Sequence, residues 1–205
     1  AGSMGDIGCF SFYANKIVTT GEGGMIVTDN KEYADKARSL GSLAYGKENR
    51  FMHDDVGFNY RMTNPQAAIG VAQLAKIDST IENKRAMADF YKAALAGIPG
   101  LKLPPEKDYA KNVYWMYHVV LRDKLQGTRD KIRAALKEKG VDTRESFVPA
   151  NRQKIFIERG LTKKEDCPVA NYIGENGFYL PSGPDISEEE MKHVVKSVKE
   201  VIKTI

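Results

Sequence analysis

Residues 5–28 read GDIGCFSFYANKIVTTGEGGMIVT. Two short β-prone runs, residues 9–13 (CFSFY) and 24–28 (GMIVT), enclose a Gly- and Thr-rich stretch, a pattern that predicts strand, loop, strand. Lys16 stands just past the first run. A lysine forms a stable imine with an aldehyde once its amine is uncharged, and burial or a nearby cation lowers its pKa. Ser11, on the same strand end, offers a hydroxyl to a phosphate. Gly21, Gly23 and Gly24 let backbone approach a flat ring or phosphate oxygens closely. The same residue types also fit a plainer structure, a solvated lysine beside an ordinary turn. Residues 19–25 (TTGEGGM) lack the spacing G-x-x-x-x-G-K-[ST], which argues against a nucleotide-hydrolysing phosphate loop.

Outward from this stretch, Asp29 or Asn30 is placed to cap a helix running to about Leu40, with Gly41 as its stop. Residues 42–55 are polar and irregular. Asn64-Pro65 predicts a second helix start, cap then proline. Leu74, Ile77, Ile81, Met87, Phe90 or Tyr91, and Ala94 recur at helical spacing, so one long helix or two end to end should reach about Ala96. Gly and Pro break the pattern over residues 97–105. Beyond it, the sequence predicts a strand over 113–121, a helix over 128–139 closed by Gly140, and an extended segment over 141–148. A short helix over 168–176 and a short strand over 178–180 follow. Ser187 and Glu190 form a capping box for the last helix, whose apolar stripe is Met191, Val194, Val195, Val198, Val201, Ile202 and Ile205. Strands alternating with helices predict an α/β chain.

The 205 residues are 42% hydrophobic and 28% charged, with a formal net charge of +4, ordinary values for a globular protein. Basic and acidic residues are interleaved, without the Lys/Arg runs and aromatic punctuation of a nucleic-acid binder. A mild positive field suits a phosphorylated cofactor or a nucleotide-linked substrate. Cys9 and Cys167 predict free thiols in a reducing compartment. No apolar run approaches membrane-spanning length, and a cytoplasmic protein is expected. No two of His53, His118 and His193 have metal-ligand spacing. His53 is expected in a loop, His118 in the core or at its rim, and His193 in solvent.

Four segments in order carry a resemblance. The first is residues 5–28. The second is Gly57-Phe58-Asn59-Tyr60-Arg61-Met62 followed by Gln66-Ala67-Ala68, similar to a family pattern G-x-N-x-R-[ML]-x-x-x-Q-A-A. The third is Phe147-Val148-Pro149-Ala150-Asn151-Arg152-Gln153, and the fourth Gly177-Phe178-Tyr179-Leu180-Pro181-Ser182. Together they resemble the DegT/DnrJ/EryC1/StrS aminotransferases, and NYRMTN and VYWMY look most like the GDP-perosamine synthase-like branch. The resemblance implies the C-terminal part of a fold-type-I, aspartate aminotransferase-like transferase dependent on pyridoxal 5'-phosphate. Residues 1–80 would be a remnant of the large parallel-sheet domain with the cofactor-lysine loop. Residues 81–205 would be a linking helix and a small α/β domain.

The implied activity moves an amino group from glutamate to a keto nucleotide sugar. Lys16 would hold the cofactor and shuttle the proton, Ser11 would bind its phosphate, and Asn59 would reach the phosphate of a neighbouring subunit's cofactor in a homodimer. Arg61 would touch substrate or form a salt bridge that props its own loop. Tyr13 and Asn151 are further substrate-binding candidates, Tyr13 with an alternative role in shaping the loop. Glu22 is expected to close a turn. A dehydratase of the same family would carry histidine in place of Lys16. Asn151 stands where sugar-nucleotide members often have histidine, and Lys154 where they have proline. Members are about twice this length. The expected N-terminal half carries the aspartate that pairs with the cofactor's ring nitrogen; no residue here substitutes for it, Asp6, Asp54 and Asp55 being unsupported for that role. That half would come from a separate chain, or the present chain would serve only as a non-catalytic assembly or binding module. Residues 1–80 alone should expose apolar surface and strand edges.

Overall fold

The computed structural model describes residues 2–49 and 51–205. They form two compact units, Ala1–Ser79 and Thr80–Ile205.

In the first unit, β1 (Gly8–Ser11) pairs with β2 (Gly24–Val27), Cys9 facing Ile26 and Phe10 facing Met25. The pair is antiparallel. The segment between the strands forms no helix of the kind that usually carries a parallel crossover. Phe12 donates to the Gly23 carbonyl at 2.8 Å and Thr20 to that of Phe12 at 2.9 Å, so the loop closes on itself. Gly23 has φ +149°, a conformation that glycine adopts without penalty.

Helix α1 (Lys31–Gly41) is capped by Asn30, whose side chain accepts from the Glu32 and Tyr33 amides. Helix α2 (Asn64–Leu74) is capped by Thr63 in a capping box with Gln66. The cap thus lies one residue before the expected Asn64, because T-x-x-Q satisfies two orphan amides at once. Between the helices the chain doubles back through bridges Ser42↔Asn59 and Tyr45↔His53. Ala44 is the one buried hydrophobic residue described in this unit. Phe10, Met25, Ile26, Val71 and Leu74 are exposed, as expected for strands and helices without a covering layer.

Helix α3 (Ile77–Leu95) follows α2 after a two-residue turn, so the long helical pattern resolves into two helices. The second unit contains a four-stranded antiparallel sheet in the order β3-β4-β6-β5. These strands are β3 (Leu101–Lys102), β4 (Tyr117–Leu121), β5 (Arg144–Glu145) and β6 (Gly177–Leu180). Its helices are α4 (Arg129–Glu138), α5 (Lys154–Glu158), α6 (Pro168–Asn176) and α7 (Glu188–Lys203). Tyr117, Val119 and Leu121 alternate inward on β4, opposite Leu180 and Phe178 of β6. They pack with Met87, Tyr91 and Leu95 of α3, Ile132 and Leu136 of α4, and the stripe of α7. Burying a side chain of this size contributes about 1.5–3 kcal/mol.

Three expectations change. The strand begins at Tyr117 rather than 113, because Asn112 Oδ1 accepts from the Tyr114 amide at 2.8 Å and Tyr114 turns to φ +47°, a turn that ends extended pairing. Within 141–148 only Arg144–Glu145 pairs, since the Val141 amide still closes the end of α4 on Leu136. Helix α5 was not expected.

Candidate functional site

Lys16 lies in the turn after β1, its backbone amide donating to the Tyr13 carbonyl at 2.9 Å. The side chain is half-buried. Ser11 ends β1 and is exposed, its hydroxyl accepting from the Tyr13 amide at 3.4 Å. Tyr13 is exposed between them. Thr19 and Thr20 brace this loop, donating to the Phe12 carbonyl at 3.1 Å and the Glu22 carbonyl at 2.7 Å. The Glu22 carbonyl also accepts from Gln66 Nε2 at 3.2 Å, which ties α2 to the lysine loop. Glu22 therefore closes the turn, through its main chain. Gln66 was legible only as a motif letter; its cap position at the third residue after Thr63 was the available signal.

Asn59 is exposed and lies in the bridge to Ser42. Arg61 is exposed on the adjoining segment, and no ion pair forms at it among the described residues, so the propping salt bridge is not found. A cleft of about 1450 Å³ runs between the β pair, α1 and residues 58–66, walled by Phe10, Met25, Ile26, Tyr33, Phe58 and Arg61. Lys16, Ser11, Tyr13 and Asn59 lie outside its lining. Asp55, one candidate for the ring nitrogen, is engaged by Lys36 at 2.6 Å. That bond and the Val56 amide hold its carboxyl below the usual carboxylate range.

The structure places Asn151 differently from the expectation. It is 5% exposed, and its amide nitrogen donates to the carbonyls of Lys164 and Asp166 and to Asn171 Oδ1. Its donors are therefore committed to holding the 162–171 loop. A polar group buried this deeply needs such partners.

Sequence reasoning also missed Lys84, on the inward face of α3 and 3% exposed. Its Nζ donates to the carbonyls of Trp115 and Ser182. Burial without a carboxylate pushes its pKa down to about 8. His118 bonds Ser146 Oγ through Nε2 and titrates below its ordinary value because of burial. His193, exposed as expected, still bonds the Lys139 carbonyl at 2.8 Å.

The antiparallel pair with its lysine turn, followed by a small α/β unit, is a piece of an α/β aminotransferase. Residues 1–199 match the model of the DegT/DnrJ/EryC1/StrS aminotransferase family, and the chain belongs to that family. It is 36% identical over 199 residues to GDP-perosamine synthase of Escherichia coli, covering 97% of this chain and 52% of that protein. To the GDP-perosamine synthase of Vibrio cholerae it is 34% identical over 198 residues, covering 97% and 53%. Among solved structures it superposes on the aminotransferase TlmJ from Streptoalloteichus hindustanus with a TM-score of 0.87 at 27% identity, covering 100% of this chain and 54% of TlmJ. The chain thus spans about half the length of the relatives it matches.

The family depends on pyridoxal phosphate, which supplies an aldehyde for an amine and an electron sink once bound. The donor set around β1 fits part of that group. Lys16 would supply the amine and Ser11 a hydroxyl for phosphate, both at the end of β1. No helix among the described residues is long and apolar enough to cross a membrane.

Proposed function

We propose that the chain is the lysine-bearing half of an enzyme that transfers an amino group from glutamate to a keto nucleotide sugar with pyridoxal phosphate. The observation that carries this reading is Lys16 in a braced turn at the end of β1, five residues from an exposed serine, within a chain of this family. In this reading Lys16 Nζ would hold the cofactor and would carry the proton between the substrate's amino-bearing carbon and the cofactor's C4′ carbon. Ser11 Oγ donates to the cofactor phosphate. Asn59 donates to the phosphate in a second subunit of a homodimer, and Arg61 and Tyr13 meet the substrate. The N-terminal half, on a separate polypeptide or as part of a longer one, brings the acid for the ring nitrogen. It also covers the apolar surface of Phe10, Met25 and Ile26. A cytoplasmic location follows from the substrate class.

A second reading is favoured by the near absence of a core in the first unit: a non-catalytic module that serves assembly alone. Mixing the chain with pyridoxal phosphate and recording its visible spectrum separates the two. A cofactor band that disappears in Lys16→Ala supports transamination, and a spectrum identical to that of the variant supports the module.

A further inference from the structure

Gln66, the glutamine of the second motif segment, serves two parts of the first unit at once. Its Oε1 accepts from the Thr63 amide and from the Thr63 hydroxyl, both at 2.9 Å, which completes the cap of α2. Its Nε2 donates to the Glu22 carbonyl at 3.2 Å. A side-chain amide carries both an acceptor and donors, so one glutamine can make both kinds of bond. The cap needs only the acceptor, and glutamate fills that position as well as glutamine does. Helix capping therefore accounts for Oε1 and leaves the Nε2 bond to the lysine loop unexplained.

The Glu22 carbonyl is where the Lys16 loop closes. It also accepts from Thr20 Oγ1 at 2.7 Å, and the Thr20 amide donates to the Phe12 carbonyl at 2.9 Å. Thr20 is 3% exposed and sits against α2, since a Cβ on Gly70 would lie 2.9 Å from Thr20 Cγ2. Gln66 and Gly70 are four residues apart and so share one face of α2. That face thus meets the loop twice, once by a hydrogen bond and once by close packing that only glycine permits. A third contact precedes the cap, where a Cβ on Gly23 would lie 2.9 Å from Met62 Cε. Lys16 lies inside the loop that these contacts close, and Asn59 and Arg61 lie on the segment that runs into Thr63. The first two turns of α2 therefore register the lysine loop against the Asn59–Arg61 segment.

We propose that Gln66 is a positioning residue, whose Nε2 bond fixes the Lys16 turn relative to the segment carrying Asn59 and Arg61. The inference rests on the reading of Lys16 as the cofactor lysine and adds what holds its turn in place. Gln66→Glu separates this bond from the cap, since a carboxylate still accepts from Thr63 but cannot donate to Glu22. Amide hydrogen exchange of the full chain, without pyridoxal phosphate, reads the turn directly. In Gln66→Glu the Lys16 and Thr20 amides exchange about two- to tenfold faster than in wild type, the factor expected for one lost hydrogen bond. The Ala67 amide, which donates to the Thr63 carbonyl at 2.9 Å, keeps its rate. Brief exposure to pyridoxal phosphate, trapped by reduction, then labels Lys16 more slowly by a similar factor and the other lysines at the wild-type rate. Gly70→Ala is a second variant with the same expected outcome. Alanine favours helix over glycine, yet its methyl displaces Thr20, so the turn loosens while α2 does not. Exchange and labelling equal to wild type in Gln66→Glu overturn the inference. Equal acceleration at Thr20 and Ala67 overturns it too, because Gln66 is then a cap and nothing more. A wild-type chain never labelled at Lys16 sinks the cofactor reading without touching the exchange result. A labelled Lys16 indifferent to Gln66 sinks this inference alone.

Discussion

Helices α2 and α7 begin in the same way and end up in opposite situations. Thr63 with Gln66 and Ser187 with Glu190 are both complete capping boxes. Helix α7 then buries Val194, Val195, Val198, Val201 and Ile202, whereas α2 buries nothing and leaves Ile69, Val71 and Leu74 exposed. A cap fixes where a helix starts and says nothing about what covers it. An apolar helix without a cover is one that needs a partner layer. The second unit carries its own core, whereas the first leaves its apolar helix and strand faces exposed.

Core truncations should show the largest contrast. Phe178→Ala in the sheet of the second unit should cost about 3–5 kcal/mol in denaturant unfolding. Ile26→Ala in the first unit should cost under about 0.5 kcal/mol in the isolated chain. A comparable loss at both positions would break the comparison. Next comes Asn151→Ala, expected to destabilise by about 0.5–1.5 kcal/mol because it removes the hydrogen bonds that hold residues 164–171. If stability holds and only nucleotide affinity falls, Asn151 is a substrate contact after all.

The two caps sharpen the contrast. Ser187→Ala should lower global stability by about 1 kcal/mol, while Thr63→Ala should fray α2 locally, seen as faster amide exchange over residues 64–67 with little change in the unfolding midpoint.

The last contrast is one of pH dependence and belongs to Lys84. Its amine has a folded pKa of about 8 against an ordinary 10.5. Between those values the unfolded chain holds a proton that the folded chain has lost, so this group makes stability rise with pH. Below about pH 8 both states are charged, and the cost of burying the ammonium is present in full. Lys84→Met should remove that rising segment between pH 8 and 10.5, and an unchanged slope would mean the amine is solvated.

Much of the fold was legible because its signals are local. Residues 168–176 and the capping box at Ser187 appear where the sequence puts them. Local signals failed where a distant or competing contact decides. Tyr114 leaves the extended run because Asn112 captures its amide. Asn151 is in a motif position, yet its partners at 164, 166 and 171 are set by tertiary folding. Lys84 looks like any helix-surface lysine until α3 is laid on the sheet, when its face proves to be the one carrying Met87 and Tyr91. The antiparallel sense of β1 and β2 was hidden because two short apolar runs specify strand and not direction. Of the site, Lys16 and Ser11 were singled out by the family resemblance, since residue type and spacing alone also fit an ordinary turn. The brace from Thr19, Thr20 and Gln66 did not, since hydroxyls and amides of that kind are common in loops.

The central claim is that position 16 carries the cofactor. It is tested most directly by incubating the chain with pyridoxal phosphate, reducing with borohydride, digesting, and mapping the modified lysine by mass spectrometry. The account predicts a pyridoxyl group on Lys16 ahead of every other lysine. Label scattered over surface lysines with Lys16 unmodified would contradict it.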